Sequence, residues 1–335
     1  MRKHEDDEDE SPGEVLDGLS YVNRPQKVEP FVIAPLVSPG AFMNIYGHSK
    51  AGKSLLALGL AIDVSSPDGP DLWMEKYPIE RRGPALWLEA DNSATEWQNV
   101  VRLVHNEGFD ISNIHFADQN MMPYPFDLLN PERREIMWLA DQYKRIQDRW
   151  GYDAVISFFD TVREIHSGDE DKSNVMRNVL TAMQEARHIA NSESANTLIS
   201  HSRKGGGVDQ GHRGNNKMSQ EDAEGDVVSE NRGSSAFAAR MQGIIRVTTN
   251  RQRTHGFFTA GGRNIGYHRF RMKQTAPTYL WSVDVDPGVE LVKELRETNP
   301  EWGVRQIARE VAQTLKWTDE RARSLTRRVL ESVES

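Results

Sequence analysis

The chain has 335 residues, of which 37% are hydrophobic and none is cysteine, and its net charge is −9. The lack of cysteine excludes disulfide bridges and thiolate metal sites, and the acidic balance is untypical of a nucleic-acid binder, although an average hides how charge is distributed. With no signal-peptide pattern and no apolar run near 18 residues, we expect a soluble, cytoplasmic protein that does not contact membranes.

Charge is distributed unevenly along the chain. Residues 5–10 are all acidic and begin a segment, residues 1–30, that we expect to be a largely disordered, solvated tail. Between residues 232 and 283 there is no acidic residue, and the basic residues there are Arg232, Arg240, Arg246, Arg251, Arg253, Arg263, Arg269, Arg271 and Lys273. Such a run usually marks a solvated face, but the lack of acidic residues favours an anionic partner.

From residue 41 onwards, short apolar runs alternate with amphipathic segments. The apolar runs predict strands at residues 41–46, 85–90, 154–160 and 196–200, with a short strand near residue 115. Helices are expected between them from Ser54, from about Ser93, over residues 131–150 and over residues 173–190. Asn130 is the expected N-cap of the third helix, and Gly151 lies just past its end. This alternation predicts an α/β fold with a mainly parallel sheet.

After residue 243 the pattern changes. Four short segments, IIRVTT, GFFTA, YHRFRM and TYLWSV, are separated by turn residues and are expected to be antiparallel strands that extend one edge of the sheet. Residues 286–335 predict three helices in a small helix-turn-helix-like module, the last helix starting at a Thr318 or Asp319 cap. The module could contact DNA through Arg321, Arg323, Arg327 and Arg328, or equally dock a partner or stabilise an oligomer.

The stretch GHSKAGKS lies between the first strand and the first helix of the core. It comprises Gly47, His48, Ser49, Lys50, Ala51, Gly52, Lys53 and Ser54. In the pattern G-x-x-x-x-G-K-S, glycines let backbone N–H groups surround a phosphate, and the helix N-terminus adds partial positive charge. Lys53 would reach the β- and γ-phosphates of ATP, and the Ser54 hydroxyl would bind Mg²⁺. The sequence therefore predicts a nucleoside triphosphate site.

Three further residues follow predicted strands. Asp160 ends the strand AVISFFD, where it either caps the next turn or holds a metal-bound water as a Walker B residue. Glu89 ends the strand ALWLE, where it is either an ordinary strand-end carboxylate or the acceptor of a proton from the attacking water. His201 follows the strand NTLIS and is either a packing residue or a group that senses the γ-phosphate.

The combination of these motifs resembles a known family. The stretches GHSKAGKS, WLEAD, FFDTVREIHSGDEDKSN, LISHSRKGG and RGSS occur in the order found in RecA-type ATPases, and are most similar to the hexameric replicative helicase RepA of plasmids and its phage relatives. The resemblance implies that Glu89 is the general base, that Asp160 assists Mg²⁺ and that His201 senses γ-phosphate. It also implies that Arg232 enters the neighbouring subunit's site.

The sequence departs from the family pattern at two places. The family often has paired histidines where this chain has Ser200 and His201, and a second acidic residue where it has Ala90. Residues 202–231 form a long polar segment that, by the same resemblance, faces the central channel of a ring. There Arg203 and Lys204 could contact single-stranded DNA, although the segment also carries acidic residues that would repel DNA.

These observations lead to an expected organisation and function. The domains are the tail at residues 1–30, a RecA-like ATPase domain at residues 31–285 and the helical module at residues 286–335. We expect a homo-oligomeric, hexameric ring that hydrolyses ATP with Mg²⁺ and moves on single-stranded DNA as a helicase in phage or plasmid replication, with replication proteins as further partners. The alternatives are a nucleotide-switched DNA-binding regulator or helicase loader, and a recombinase that forms filaments.

Overall fold

The computed structural model describes residues 18–23, 29–130, 132–169, 172–202, 235–250, 252–262 and 265–333. A nine-stranded sheet forms the centre of the main body, and a small two-stranded sheet made of β2 and β3 lies beside it. The strands are β1 (Phe42–Gly47), β2 (Leu72–Trp73), β3 (Tyr77–Pro78), β4 (Ala85–Glu89), β5 (Ile114–Ala117), β6 (Ile156–Asp160), β7 (Ala195–His201), β8 (Met241–Thr249), β9 (His255–Gly262), β10 (Ile265–Thr275) and β11 (Leu280–Val283).

The described helices surround this sheet. They are α1 (Gly18–Asn23), α2 (Lys53–Ser65), α3 (Ala94–Asn106), α4 (Arg134–Trp150), α5 (Ser173–Ala190), α6 (Ser235–Ala238), α7 (Pro287–Thr298), α8 (Val304–Leu315) and α9 (Asp319–Val333), with a short 3-10 helix at Val162–Ile165. The short helix α1 falls within the segment that we expect to be a tail. None of the helices in the described ranges is long and apolar enough to span a membrane.

The order of the large sheet is β11-β10-β9-β8-β1-β7-β6-β4-β5. All pairings from β8 to β5 are parallel, and those of β9, β10 and β11 are antiparallel. The predicted α/β class with a mainly parallel sheet and antiparallel edge strands is therefore confirmed. One detail differs, because β8, the first of the four late strands, pairs in parallel with β1. The long connection between β7 and β8 gives the chain the length that a parallel crossover needs.

Helices cover both faces of the sheet, as expected for parallel strands. On one face, α2 and α3 pack into an apolar core with Trp87 of β4 and with the inner side of β8–β11. On the other face, α4 and α5 pack against β6, β7 and the first turn after β6 in a second core. Strands buried on both faces explain why the central segments read as continuous apolar runs in the sequence.

The start of α4 differs from the prediction. The helix begins at Arg134, and not at residue 131 with Asn130 as its cap. Asn130 instead closes a separate turn, because its carbonyl accepts a hydrogen bond from the Arg133 backbone N–H at 3.0 Å and its side chain accepts one from the Glu132 N–H at 3.0 Å. Arg133 then adopts a φ of 60°, which breaks the helical path. At the other end, Gly151 is the C-cap with a φ of 73°, as predicted.

The last three helices form a core of their own. Buried apolar residues of α7, α8 and α9 pack on one another, including Val292, Ile307, Val311 and Leu325. On α8, Ile307 and Val311 are fully buried and Leu315 is half-buried, so these residues form an apolar stripe that faces the other two helices. Thr318 is the cap of α9, because its carbonyl accepts a hydrogen bond from the Ala322 N–H at 3.1 Å.

Candidate nucleotide-binding site

The loop GHSKAGKS connects β1 to α2, as the motif predicts. Gly47 ends β1, and Gly52 adopts a φ of 78° as the N-cap of α2, a left-handed conformation that favours glycine. A Cβ atom on Gly47 would lie 2.3 Å from the backbone oxygen of Val247 on β8. Both glycines are therefore required by the backbone, and the loop presents the start of α2, where free N–H groups can bind an anion.

The parallel strands bring the predicted strand-end residues to one edge of the sheet. In the strand register, Glu89 on β4 lies opposite Asp160 on β6, and His201 on β7 lies opposite Gly47 on β1. The structure thus groups the P-loop with Glu89, Asp160 and His201. Arg232, Arg203 and Lys204 lie outside the described residues.

A cleft of about 600 Å³ opens above this edge. Its volume falls within the range of about 300 to 1,000 Å³ that small-molecule sites occupy. The P-loop, Asp160 and His201 form its floor, and one wall is formed by Asn92, Glu96 and Trp97 at the start of α3. The other wall consists of residues from the antiparallel strands and their turns: Gln252, Arg253, Thr254, Gln274 and Tyr279.

This second wall is not predicted by the sequence. Arg253 lies in the turn between β8 and β9, and Tyr279 lies in the turn between β10 and β11, both with positive φ. Nearby, the indole Nε1 of Trp281 on β11 donates a hydrogen bond of 2.9 Å to the carbonyl oxygen of Gly52. The only signal in the sequence is the basic run that includes Arg253, and that signal does not indicate which turn faces the P-loop.

Lys53 is 5% exposed and lies at the bottom of the cleft. Its Nζ donates a hydrogen bond to the carbonyl oxygen of His48 at 3.1 Å and lies 3.3 Å from Nδ1 of His201. Because an ammonium group only donates hydrogen bonds, Nδ1 of His201 must be the acceptor, and its ring proton is then on Nε2. The pair links the residue that would bind phosphate to the residue expected to sense it.

Asp160 is fully buried, and neither of its carboxylate oxygens has a hydrogen-bond partner among the described residues. Burial raises the pKa of Asp160, and the nearby charge of Glu89 raises it further; the Ser54 hydroxyl, which lies close to the carboxylate but outside hydrogen-bonding geometry, and the charge of Lys53 oppose the rise. A buried carboxylate without a hydrogen-bond partner lowers the stability of the folded state unless it is protonated or binds a cation. This arrangement fits Mg²⁺.

The remaining ligands of such an ion would have to come from elsewhere. In the described ranges there is no group of three or more histidine, aspartate or glutamate side chains that could hold a metal. Mg²⁺ typically keeps several water ligands and uses one or two protein oxygens together with substrate phosphates. Asp160 and Ser54 beside the P-loop supply a donor set of this kind.

Glu89 is also fully buried but is held by several donors. Its Oε1 accepts hydrogen bonds from the backbone N–H groups of Asp91 (3.2 Å) and Asn92 (2.9 Å) and from the Asn92 side chain (2.9 Å). Its Oε2 accepts one long hydrogen bond, from Trp87 Nε1 at 3.3 Å. Burial raises the pKa of Glu89, and the bonds from Asn92, Trp87 and Asp91 oppose the rise. Oε2 therefore keeps a lone pair that could accept a proton.

A parallel sheet that carries a P-loop after β1, with acidic residues at the ends of β4 and β6, defines a nucleotide-binding domain of the P-loop ATPase type. The chain matches the AAA domain family AAA_25 over residues 10–207, and it belongs to that family. Its fold is also similar to the crystal structure of the RadB recombinase, with 12% sequence identity, a TM-score of 0.44, and coverage of 74% of this chain and 92% of that chain. No curated protein matches it.

Proposed function

We propose that the chain is an Mg²⁺-dependent ATP hydrolase that works as a DNA helicase or translocase of the RepA type, assembled as a hexameric ring on single-stranded DNA in phage or plasmid replication. The observation that best supports hydrolysis is the unpaired, buried Asp160 carboxylate between Glu89 and the P-loop. A site that only bound phosphate would have no use for two adjacent buried carboxylates, whose mutual repulsion is unfavourable.

Each residue of the site has a distinct role in this proposal. The P-loop backbone and Lys53 bind the phosphates. Ser54 and Asp160 would hold Mg²⁺, which when bound would neutralise charge on the phosphate oxygens. Glu89 accepts a proton from the attacking water through Oε2, the oxygen with fewer donors. Because its raised pKa is closer to neutral pH, Glu89 is a better base than an exposed glutamate.

Glu89 must become accessible before it can act. Its side chain is buried, and the backbone of Asp91 and Asn92 folds over Oε1. Asn92 also faces the cleft. We therefore expect nucleotide binding to displace the turn at residues 91–92, so that the base is exposed only when a substrate is present.

His201 couples the phosphate to the rest of the ring in this proposal. Its Nδ1 lies 3.3 Å from Lys53 Nζ. When Lys53 turns toward a γ-phosphate, its contact with Nδ1 of His201 would be lost. The segment that follows His201 carries Arg203 and Lys204, our candidates for contact with DNA, so a change at this histidine has a short route to the DNA-binding segment.

The proposal is tested by steady-state ATPase measurements over a series of protein concentrations, with and without single-stranded DNA. Lys53→Ala protein, which should not hydrolyse ATP, is the negative control for contaminating ATPase activity. If the chain is an assembled motor, turnover per subunit should rise steeply with concentration and again with DNA. Slow turnover that depends on neither would refute the motor and favour a nucleotide-switched regulator or loader. Filaments in place of closed rings in negative-stain images would favour a recombinase.

Arg232 is proposed to complete the neighbouring subunit's site. An arginine supplied in trans is typically worth about 10³ to 10⁵ in rate. Arg232→Ala protein and Lys53→Ala protein should each be inactive, but mixed oligomers of the two should recover part of the activity, because some interfaces then combine an intact P-loop with an intact arginine. Mixed oligomers that stay inactive would contradict this geometry.

A further inference from the structure

The C-terminal helices α7, α8 and α9 take no part in the nucleotide site, and their surface has a distinct pattern of charge. On α7 and just after it, the exposed acidic residues are Glu290, Glu294, Glu297 and Glu301. On α9, the exposed basic residues are Arg321, Arg323, Arg327 and Arg328. Both signs occur on both helices, since α7 also carries Lys293 and Arg296 and α9 begins with the exposed Asp319 and Glu320, but the four arginines leave α9 with more cations than anions.

The arginines of α9 share one side of the helix. The opposite side is buried in the three-helix core by Ala322, Leu325, Thr326, Val329 and Leu330. Over residues 319–330, the exposed residues of the helix are the four arginines, Ser324, Glu320 and, at its start, Asp319. Arg323, Arg327 and Arg328 have no hydrogen-bonding or ion-pairing partner among the side chains that the structure describes. Their side chains are exposed and could contact an external anion.

The connection between α8 and α9 has the length of the turn in a helix-turn-helix motif. The two helices are joined by the three residues Lys316, Trp317 and Thr318, a turn length typical of that motif. Lys316 has a φ of 53°, which ends α8, and the N–H of Trp317 donates a hydrogen bond of 3.0 Å to the Ala312 carbonyl. Thr318 then caps α9, so the turn fixes the start of the second helix.

Two contacts hold this turn in place. Trp317 packs against Gly288 on α7, where an added Cβ would lie 2.5 Å from the indole ring. On its other side, the guanidinium carbon of Arg321 lies 3.6 Å from the centre of the Trp317 ring. The indole of the turn therefore contacts both α7 and α9. These contacts fix the position of α9, as a helix that binds in a groove requires.

The helix before the turn adds further positive charge. Arg305 and Arg309 are exposed one turn apart on α8. In helix-turn-helix proteins the first helix crosses the phosphate backbone while the second lies in the major groove. Exposed arginines on two successive helices form an extended cationic face, which fits a double-stranded polyanion better than a single ion.

We propose that α8 and α9 bind duplex DNA, with the arginine face of α9 in the major groove. This interaction is separate from the proposed engagement of single-stranded DNA by the ATPase domain. The module would then anchor the protein on double-stranded DNA, for example beside a junction where the strands separate. Duplex binding by α8 and α9 does not require ATP hydrolysis and can be measured separately from it.

The test measures fluorescence anisotropy of the full chain with a short blunt duplex, in the presence of excess unlabelled single-stranded DNA that occupies any single-strand site. The Arg323→Ala/Arg327→Ala variant should bind the duplex at least about tenfold more weakly, since phosphate and base contacts are both removed. The slope of log affinity against log salt should become shallower by about 0.9 for each phosphate that the variant no longer neutralises. ATPase activity should be unchanged.

Lys293→Ala is the matched control, because Lys293 is an exposed cation of the same module on the acidic helix α7. It should bind the duplex as the wild type does. All three substituted side chains are exposed, so far-UV circular dichroism and thermal unfolding should match the wild type. The proposal is wrong if wild-type protein does not bind the duplex under these conditions, if the double variant binds as tightly as wild type, or if Lys293→Ala weakens binding equally. A change in oligomeric state without loss of duplex binding would also overturn it.

Discussion

Replacing Glu89 with glutamine tests the general base directly. The substitution keeps the size of the side chain and removes its charge and its ability to accept a proton. The amide oxygen can still accept hydrogen bonds from Asp91 and Asn92, as Oε1 does now. The amide nitrogen must then face Trp87 Nε1, which lies 3.3 Å from Oε2. Two donors facing each other in a buried site cost about 1 to 3 kcal/mol.

A second effect acts in the opposite direction. The charge of Glu89 helps to raise the pKa of Asp160, so Glu89→Gln should lower that pKa and leave Asp160 ionised over a wider pH range. The relief of repulsion offsets part of the cost of the missing hydrogen bond. We therefore expect a small net loss in stability and unchanged or tighter binding of Mg²⁺–nucleotide. Hydrolysis should fall by about 10² to 10⁴, the usual worth of a general base.

The assay compares single-turnover hydrolysis and nucleotide affinity in Glu89→Gln and Glu96→Gln proteins. Glu96 is a matched control because it lines the same cleft but is exposed, and its carboxylate accepts a hydrogen bond from Ser93 Oγ at 2.7 Å that an amide oxygen can also accept. Glu96→Gln should hydrolyse ATP at close to the wild-type rate. If Glu89→Gln retains more than about a tenth of the wild-type rate with normal affinity, Glu89 is not the base.

Further predictions follow from other contacts. Burial raises the pKa of Asp63 to about 7 from 3.8, with Arg82 opposing the rise. Because the folded state favours the neutral carboxyl, its stability falls as pH rises between these values. Asp63→Asn should therefore melt at a higher temperature than wild type at pH 8, and the difference should shrink toward pH 5; a constant difference would contradict this. Gly47→Ala should prevent folding because its Cβ would lie 2.3 Å from a backbone oxygen. Gly59→Ala is the contrasting case, since no atom lies within 4 Å of the added Cβ. It should stabilise α2, and urea denaturation should show a free energy of unfolding higher by about 1 kcal/mol. Trp281→Phe removes the hydrogen bond to the P-loop, worth about 1 kcal/mol, and calorimetry should show nucleotide affinity about fivefold lower, while unchanged affinity would exclude a positioning role.

Much of the fold and the floor of the site could be predicted because the signals are local. The P-loop is one continuous stretch whose glycines and lysine specify the backbone and the ligand together. Glu89, Asp160 and His201 each follow an apolar run, and parallel strands place their carboxyl ends at one edge of a sheet. Once the alternation of strands and helices is recognised, their grouping follows without knowledge of the strand order.

Local signals do not extend to contacts between distant segments. The segment IIRVTT reads as one more strand, and nothing within it indicates that β8 pairs in parallel with β1. The turn at Arg253 and the strand with Trp281 reach the P-loop only because side chains of β8–β11 share one core with α2. Such placements depend on the packing of the whole core and not on any short stretch of residues.

The sequence by itself determined which residues could do chemistry, because the phosphate loop, the strand-end acids and the histidine are patterns of neighbouring residues. Only the tertiary structure decided their environment: Asp160 has no hydrogen-bond partner among the described residues, and Glu89 is closed behind Asp91 and Asn92. Burial and hydrogen bonding are set by every segment that surrounds a group. The sequence therefore shows where a carboxylate that could act as a base or metal ligand is placed along the chain. Its pKa and its exposure to substrate are set only when the chain folds.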